Sequence, residues 1–279
     1  MAPQLAVLGP AGTFSDIAAQ QYLKQKKMAW QLTYYNSIDQ VAASVQNGVA
    51  YALLPLENTL DGYVQNTLGI LSYANLQVVG EVLVPVRFSL AAKAANLAAI
   101  KRIYVQFKTK GQCTRILARL PQAERLTTES NMLSFNKLRT AVAGDAALIP
   151  QFHLPELPAD FLKLADVTDT DENYTRFIVV KQQLARLQQV QPWDQDFRAL
   201  CYITPQTDHA GLLDRILQEF AQRRLNLMAI MSRPTRRELG HYRFFIEIAG
   251  QAGQAAALDQ AFSQLAQHNQ VKYLGSFSQ

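Results

Sequence analysis

The chain has 279 residues, enough for two domains whose cores fold without disulfide or metal staples. Apolar residues make up 49% and charged residues 18%, a globular rather than a disordered composition. The net charge of +5 comes from short scattered groups (Lys24 to Lys27, Arg236 with Arg237) without interleaved aromatic residues, so neither nucleic acid nor, lacking a long apolar run, a membrane is an expected partner.

Met1-Ala2-Pro3-Gln4 leads into an apolar strand without the basic start and long apolar stretch of an export signal. Cys113 and Cys201 are far apart and form no metal-ligand spacing, which suits a reducing compartment. The expected location is the cytoplasm.

In chain order, Leu5 to Leu8 reads as a strand, Ser15 to Lys26 as a helix and Trp30 to Tyr35 as a strand. A helix from Ile38 to Asn47 and a short buried strand from Ala50 to Leu56 come next, and the chain turns helical after Asp61 through Tyr73. Glu81 to Ala92 is extended with Pro85 inside it, the mark of a connector or edge strand. Strands at Arg102 to Gln106, Glu124 to Thr128 and Asp145 to Ile149 alternate with helices as a second lobe of about residues 86–150. Thr175 to Lys181 is a strand that returns to the first lobe. This alternation predicts an α/β fold with a mostly parallel sheet and a cleft between two lobes. The glutamine-rich stretch 184–197 reads as a linker, and residues 198–279 run strand, helix, strand, strand, helix, strand, a ferredoxin-like βαββαβ unit.

Three segments could carry chemistry. G-P-A-G-T-F-S, Gly9 to Ser15, joins a strand to a helix, where Thr13 or Ser15 can cap the helix and free N–H groups can hold an anion. It lacks the Lys-Ser/Thr of a phosphate loop, and a purely structural turn fits it too. P-L-E-N-T-L-D-G-Y-V, Pro55 to Val64, lies at the C-terminal end of a strand, where open α/β sheets bind ligands, although a turn with Asn58 or Thr59 as cap fits equally. D-E-N-Y-T-R-F, Asp171 to Phe177, enters the last strand of this region. Alternation puts Thr175 and Phe177 on one face and Arg176 on the other, so Arg176 is either a carboxylate clamp or a structural ion-pair partner. No Ser-His-Asp arrangement, metal cluster or dinucleotide fingerprint is present, so neither metal nor cofactor is expected.

At these three segments the sequence resembles the prephenate dehydratase family, and the resemblance covers nearly the whole chain. D-H-A-G-L-L-D-R-I-L, Asp208 to Leu217, and S-R-P, Ser232 to Pro234, resemble the effector segments of the family's ACT domain, in the same order. The resemblance implies a bilobal, periplasmic-binding-protein-like catalytic domain over 1–183, with the ACT unit after the linker. It implies decarboxylating dehydration of prephenate to phenylpyruvate, inhibition by L-phenylalanine, and a homodimer or homotetramer paired through ACT domains. Carried over position by position, Thr175, Arg176 and Asn58 become the catalytic candidates. Thr13, Ser15, Thr59, Gly62 and Phe177 line the cleft, with Gln112 and Ser130 from the second lobe. His209, Gly211, Leu212, Leu213, Ser232 and Arg233 are the matching effector positions. The chain departs from the family pattern at Met231, where many relatives carry Glu, and in the second lobe at Gln106 to Cys113 and Ser130 to Phe135. Arogenate dehydration and an amino-acid-binding regulator that has lost catalysis are the alternatives.

Overall fold

A computed structural model describes residues 3–183, 189–207, 209–235 and 241–278. Asp208, Arg236, Arg237 and the first five residues of the expected linker, 184–188, lie outside the described residues.

The first half of the chain folds as β1 (Gln4–Leu8), α1 (Phe14–Gln25), β2 (Gln31–Tyr35), α2 (Ile38–Gln46), β3 (Tyr51–Asn58), β4 (Gly62–Tyr63), α3 (Gln65–Tyr73) and β5 (Leu76–Pro85). Then come β6 (Phe88–Ala92), β7 (Arg102–Gln106), α4 (Phe107–Gln112), α5 (Thr114–Ala118), β8 (Glu124–Thr128), α6 (Asn131–Arg139), β9 (Asp145–Pro150) and β10 (Leu162–Leu164). The rest is β11 (Tyr174–Gln182), β12 (Phe197–Pro205), α7 (Leu212–Ala221), β13 (Asn226–Pro234), β14 (Tyr242–Gly250), α8 (Ala255–Leu265) and β15 (Asn269–Ser278). Among the described residues no helix is long and apolar enough to cross a membrane.

These strands make three sheets, ordered β2-β1-β3-β11-β5 with β4 beside β3, β10-β6-β9-β7-β8, and β13-β14-β12-β15. The first two are mixed rather than mostly parallel. β11 re-enters the first sheet antiparallel to both β3 and β5, and β6 lies antiparallel to β9 and β10. A strand that comes back from another lobe is not bound to the parallel direction that a short helical crossover imposes. The extended stretch expected from Glu81 to Ala92 is two strands. β5 forms the edge of the first sheet and ends at Pro85, and β6 begins the second. The second sheet also reaches beyond the expected 150, because Leu162–Leu164 pairs with β6.

The chain crosses between the lobes twice, near residues 86–87 and 165–173, and the two crossings are tied together. Val86 N donates to Asn173 O at 2.8 Å, and Val167 N donates to Phe88 O at 2.8 Å. Arg87 adds bonds to the carbonyls of Val86, Asn173 and Asp171, with its guanidinium over the Tyr174 ring.

The first sheet is covered on one side by α1, through Leu5, Val7, Ala18, Tyr22, Leu53, Phe177 and Val179. On the other side Leu54, Leu56, Leu68, Leu71, Ile178 and Val180 share one core with Leu200, Tyr202, Phe245, Leu274 and Phe277 of the third sheet. The third sheet therefore packs directly on the first lobe, while α7 and α8 close its far face through Ile216, Phe220, Leu258 and Phe262. Tyr202 crosses this junction, its hydroxyl donating to Leu68 O at 2.6 Å.

β15 approaches β5 so closely that only glycine fits at 275. The register of β12 on β15 slips between Leu200 and Cys201, Gly275 takes φ +129°, and a Cβ there would stand 2.3 Å from Val78 O. Gly275→Ala should cost about 3 kcal/mol, combining backbone strain with overpacking against a carbonyl that cannot swing aside. Urea unfolding of the variant measures this, and a loss under about 0.5 kcal/mol would mean the contact relaxes easily.

Candidate active site

Two antiparallel strand ends build the centre of the cleft. On β3 and β11 Asn58 lies opposite Thr175 and Glu57 opposite Arg176, after which the register shifts between Arg176 and Phe177. Asn58 Nδ2 donates to Thr175 Oγ1 at 3.1 Å, Asn173 Oδ1 at 2.9 Å and Tyr174 O at 3.0 Å. Its Oδ1 accepts from the N–H groups of Leu60 and Asp61 at 3.0 and 3.1 Å. With donors and acceptors on opposite sides, the amide has one orientation. Because Thr175 Oγ1 accepts this bond, its own hydrogen remains available to another acceptor. Asn173, fully buried, donates to Gln112 Oε1 at 2.9 Å, which joins the end of α4 in the second lobe to the strand pair.

The Gly9–Ser15 turn is held by its own carboxylate. Asp16 accepts from Gly12 N at 2.8 Å and from the Tyr34 hydroxyl at 2.7 Å, and Thr13 accepts from Asp16 N at 3.3 Å as the cap of α1. Burial first, then the bond to Asp16, pushes Tyr34 up to about 12. The N–H groups of Gly12 and Asp16 are thus engaged by protein atoms, which favours the structural reading of this turn over a preformed anion cradle. Ser15 is buried in the first turn of α1.

Several cleft residues expected from the sequence have other positions. Phe177 lies in the core under α1, since the residue two along from Thr175 on the same face falls beneath the helix. Thr59 fastens the β3 turn to β11. Its hydroxyl donates to Glu172 O at 2.6 Å and accepts from Tyr174 N at 3.0 Å. Gly62, at φ +74°, pairs with Asn58 in the β3–β4 hairpin. Ser130 caps α6, accepting from Leu133 N at 3.0 Å. Arg176 points away from Thr175 towards the third sheet, where Glu57 Oε2 at 2.7 Å, Glu81 and both oxygens of Glu247 accept its N–H groups. This is the ion-pair reading rather than the substrate clamp.

His153 was not among the expected residues. It sits in a 3-10 turn, Gln151–Glu156, of the second lobe, with Nε2 donating across the cleft to Gly12 O at 2.6 Å. Nδ1 lies 2.5 Å from Glu156 Oε1, and the ring stacks on Phe135 at 4.5 Å. Beside it Phe14 bridges the lobes, edge-on to Phe88 and Phe152. The one sequence signal was an aromatic pair, Phe152-His153, directly after a buried strand.

No cysteine is poised as a nucleophile. Burial, with a smaller effect of Asp169, pushes Cys113 up to about 12, and burial raises Cys201. Among the described residues no three His, Cys, Asp or Glu side chains are grouped to hold a metal ion.

In the third sheet β12 and β13 both pair antiparallel with β14, so their C-terminal ends lie at one end of the sheet. There Gly211, at φ +80°, begins α7. His209 and Leu212 line a cavity of about 400 Å³, whereas Arg233, which donates to Gln65 O at 3.2 Å, lines a separate one of about 140 Å³. Leu213 and Ser232 are exposed, and Met231 packs on the shared core of the first lobe.

A model of the prephenate dehydratase family matches residues 5–185, and one of the ACT domain matches residues 206–264. The prephenate dehydratase of Mycobacterium tuberculosis is 30% identical over 289 aligned residues, covering 98% of this chain and 86% of that protein. That of Bacillus subtilis is 29% identical over 259, covering 88% of each. The crystal structure of the Arthrobacter aurescens prephenate dehydratase in complex with L-Phe is 30% identical, with a TM-score of 0.84, covering 99% of this chain and 90% of that one.

Two measurements check the geometry. His153→Phe keeps the ring stack but removes the donor to Gly12 O, and should cost about 1–3 kcal/mol in urea unfolding. His153→Gln, which retains an N–H, should recover part of it; equal stability of all three proteins would show that the clasp carries none. The second concerns Glu247. Burial pushes its carboxyl up, but the Arg176 guanidinium overrides this and holds it below its ordinary 4.5. Its contribution is therefore complete above about pH 4.5 and is lost as pH falls through the lower folded value. The thermal midpoint gap between wild type and Glu247→Gln should be constant near neutrality and shrink only as pH falls below 4.5. A gap that does not change would contradict this assignment.

Proposed function

The chain belongs to the prephenate dehydratase family, and from that premise we infer that its interlobe cleft converts prephenate to phenylpyruvate, carbon dioxide and water. The carboxylate on the ring leaves as carbon dioxide, its bonding electrons move into the ring, and the ring hydroxyl departs opposite with a proton as water. Aromatisation drives the reaction, so the protein has to orient a dianion and stabilise the departing oxygen. The observation that carries this assignment is the hydrogen bond from Asn58 Nδ2 to Thr175 Oγ1. It fixes the hydroxyl as an acceptor on one side and leaves its hydrogen for the leaving oxygen. Threonine is a weak acid, so its part is positioning and hydrogen bonding while water completes the proton transfer. Gln112, through Asn173, brings the second lobe to the same point, and Thr13 and Ser15 are assigned to the cleft on the family resemblance alone.

Residues 1–183 form the catalytic part and 198–279 the ACT part in this reading. L-Phe, the ligand in the Arthrobacter complex, is the effector, bound between paired ACT domains at His209, Gly211, Leu212, Leu213, Ser232 and Arg233. The separate cavities lined by His209 and Arg233 within one chain agree with a site completed by a second copy. The edge strand β13 leaves Met228 48% and Ile230 40% exposed, and Leu213 nearby is 39% exposed, an apolar edge suited to a homodimer or homotetramer. A cytoplasmic location keeps both buried thiols reduced.

Purified protein with prephenate, assayed for phenylpyruvate with and without L-phenylalanine, tests the reading. Turnover should be rapid and slowed by the effector, Thr175→Ala should lose about 10² to 10³ in kcat, and Thr175→Ser should retain most of it. Unchanged kcat in Thr175→Ala would remove the hydroxyl from the chemistry. No turnover above the spontaneous rate would overturn the substrate assignment in favour of arogenate.

A further inference from the structure

The catalytic pair has a counterpart on the reverse face of the same two strands. Alternation turns Asn58 and Thr175 to the cleft and turns their neighbours, Glu57 and Arg176, to the third sheet. There they meet Glu247, a lone carboxylate in the apolar β14 sequence F-F-I-E-I-A and 1% exposed. A carboxylate so deep in protein is strongly destabilising unless every oxygen is matched.

Glu247 is matched by groups that flank the catalytic pair. Arg176 forms a fork with both of its oxygens, Nη2 to Oε2 at 2.7 Å. The Tyr63 hydroxyl donates to Oε2 at 2.9 Å, and Arg198 Nη1 donates to Oε1 at 2.9 Å. Arg176 is the residue after Thr175. Tyr63, on β4, pairs with Glu57, the residue before Asn58. One carboxylate of the third sheet thus fixes the backbone on both sides of the hydrogen bond between Asn58 and Thr175.

Resting on the catalytic reading of Thr175 and Asn58, we propose that Glu247, in the C-terminal sheet, is a positioning residue for the catalytic pair of the first lobe. The catalytic lobes then hold an incomplete site by themselves, with their strand ends set by a residue from the effector-binding domain. The charge count explains why the contact is tolerable. Glu57, Glu81 and Glu247 face Arg176 and Arg198, so both guanidiniums keep a carboxylate partner when Glu247 is neutralised. Glu247→Gln should therefore fold while losing the fork.

The test compares the full-length wild type with Glu247→Gln, Glu247→Asp and Tyr202→Phe. Tyr202→Phe removes a hydrogen bond across the same junction, away from the ion pairs, and reports the effect of loosening alone. Glu247→Gln should lower kcat for prephenate by about tenfold to a hundredfold with KM within about threefold, since misplacement affects the reacting geometry more than binding. Glu247→Asp should recover part of the loss, and Tyr202→Phe should keep the wild-type kcat. Amide hydrogen exchange across residues 56–63 and 173–178 provides a readout independent of turnover, and it should speed up in Glu247→Gln but not in Tyr202→Phe. Wild-type kcat and wild-type exchange in Glu247→Gln would overturn the proposal, as would an equal loss in Tyr202→Phe. If the wild type itself fails to turn over prephenate, the substrate reading fails, and the exchange arm alone decides whether Glu247 sets the strand ends.

Discussion

When the chain returns from the second sheet, β11 lies between β3 and β5 and forms antiparallel ladders with both. Both the cleft and the junction with the third sheet depend on that insertion. It aligns Thr175 with Asn58 across one ladder and Leu83 with Arg176 across the other, and it brings the buried Asn173 beside Asn58. Without β11, β3 and β5 would each expose an unpaired edge inside the domain, at the cost that unsatisfied backbone groups carry. A slip of one residue would exchange the faces of Thr175 and Arg176, burying the charge under α1 and turning the hydroxyl to the third sheet. The aliphatic run Ile178-Val179-Val180, buried on both faces, makes such a slip costly.

The reverse face of these strands carries a polar junction inside an otherwise apolar contact. Leu54, Ile178, Leu200, Phe245 and Leu274 give the third sheet its affinity for the first lobe. The ion cluster around Arg176 adds little net energy, because the Coulombic attraction roughly repays desolvation. Its contribution is register: leucines can slide past one another, but a forked guanidinium has one geometry that satisfies both carboxylate oxygens. Burial pushes Arg176 towards losing its proton, and the Glu247 bonds outweigh that and raise its value, so the pair stays ionised together.

Strand existence was legible in the residues. Alternation at Arg102 to Gln106 and the βαββαβ order after the linker read directly, because burial on one face writes a period into the local sequence. Contacts that depend on distant partners were not legible. Arg176 fitted two roles equally until Glu247, 71 residues away, was placed beside it. Thr59, which looked like a ligand hydroxyl, serves the backbone of a strand that arrives more than a hundred residues later. Phe177 was assigned to the cleft on a correct face, but alternation does not say where along that face the cleft gives way to α1. His153 left almost no trace, since a single imidazole has no spacing to reveal it. The family resemblance pointed to the ends of β3 and β11; the partners of each side chain needed the fold.

The paired crossings between the lobes have a mechanical consequence. Two connections side by side, stapled by Arg87 and the bond from Val86 to Asn173, work like the two pins of a door hinge. They permit swinging about the line that joins them and resist rotation of one lobe against the other. The loop holding Gly12 and its clasp His153 ties the lobes together beside that line, since Phe14 meets Phe88 edge-on and Gln151 N donates to Arg87 O at 2.9 Å. Asn173 lies in the hinge itself, with Asn58, Thr175 and Gln112 within one or two hydrogen bonds of it. The proposed catalytic pair thus sits near the pivot, where swinging about that line displaces it least.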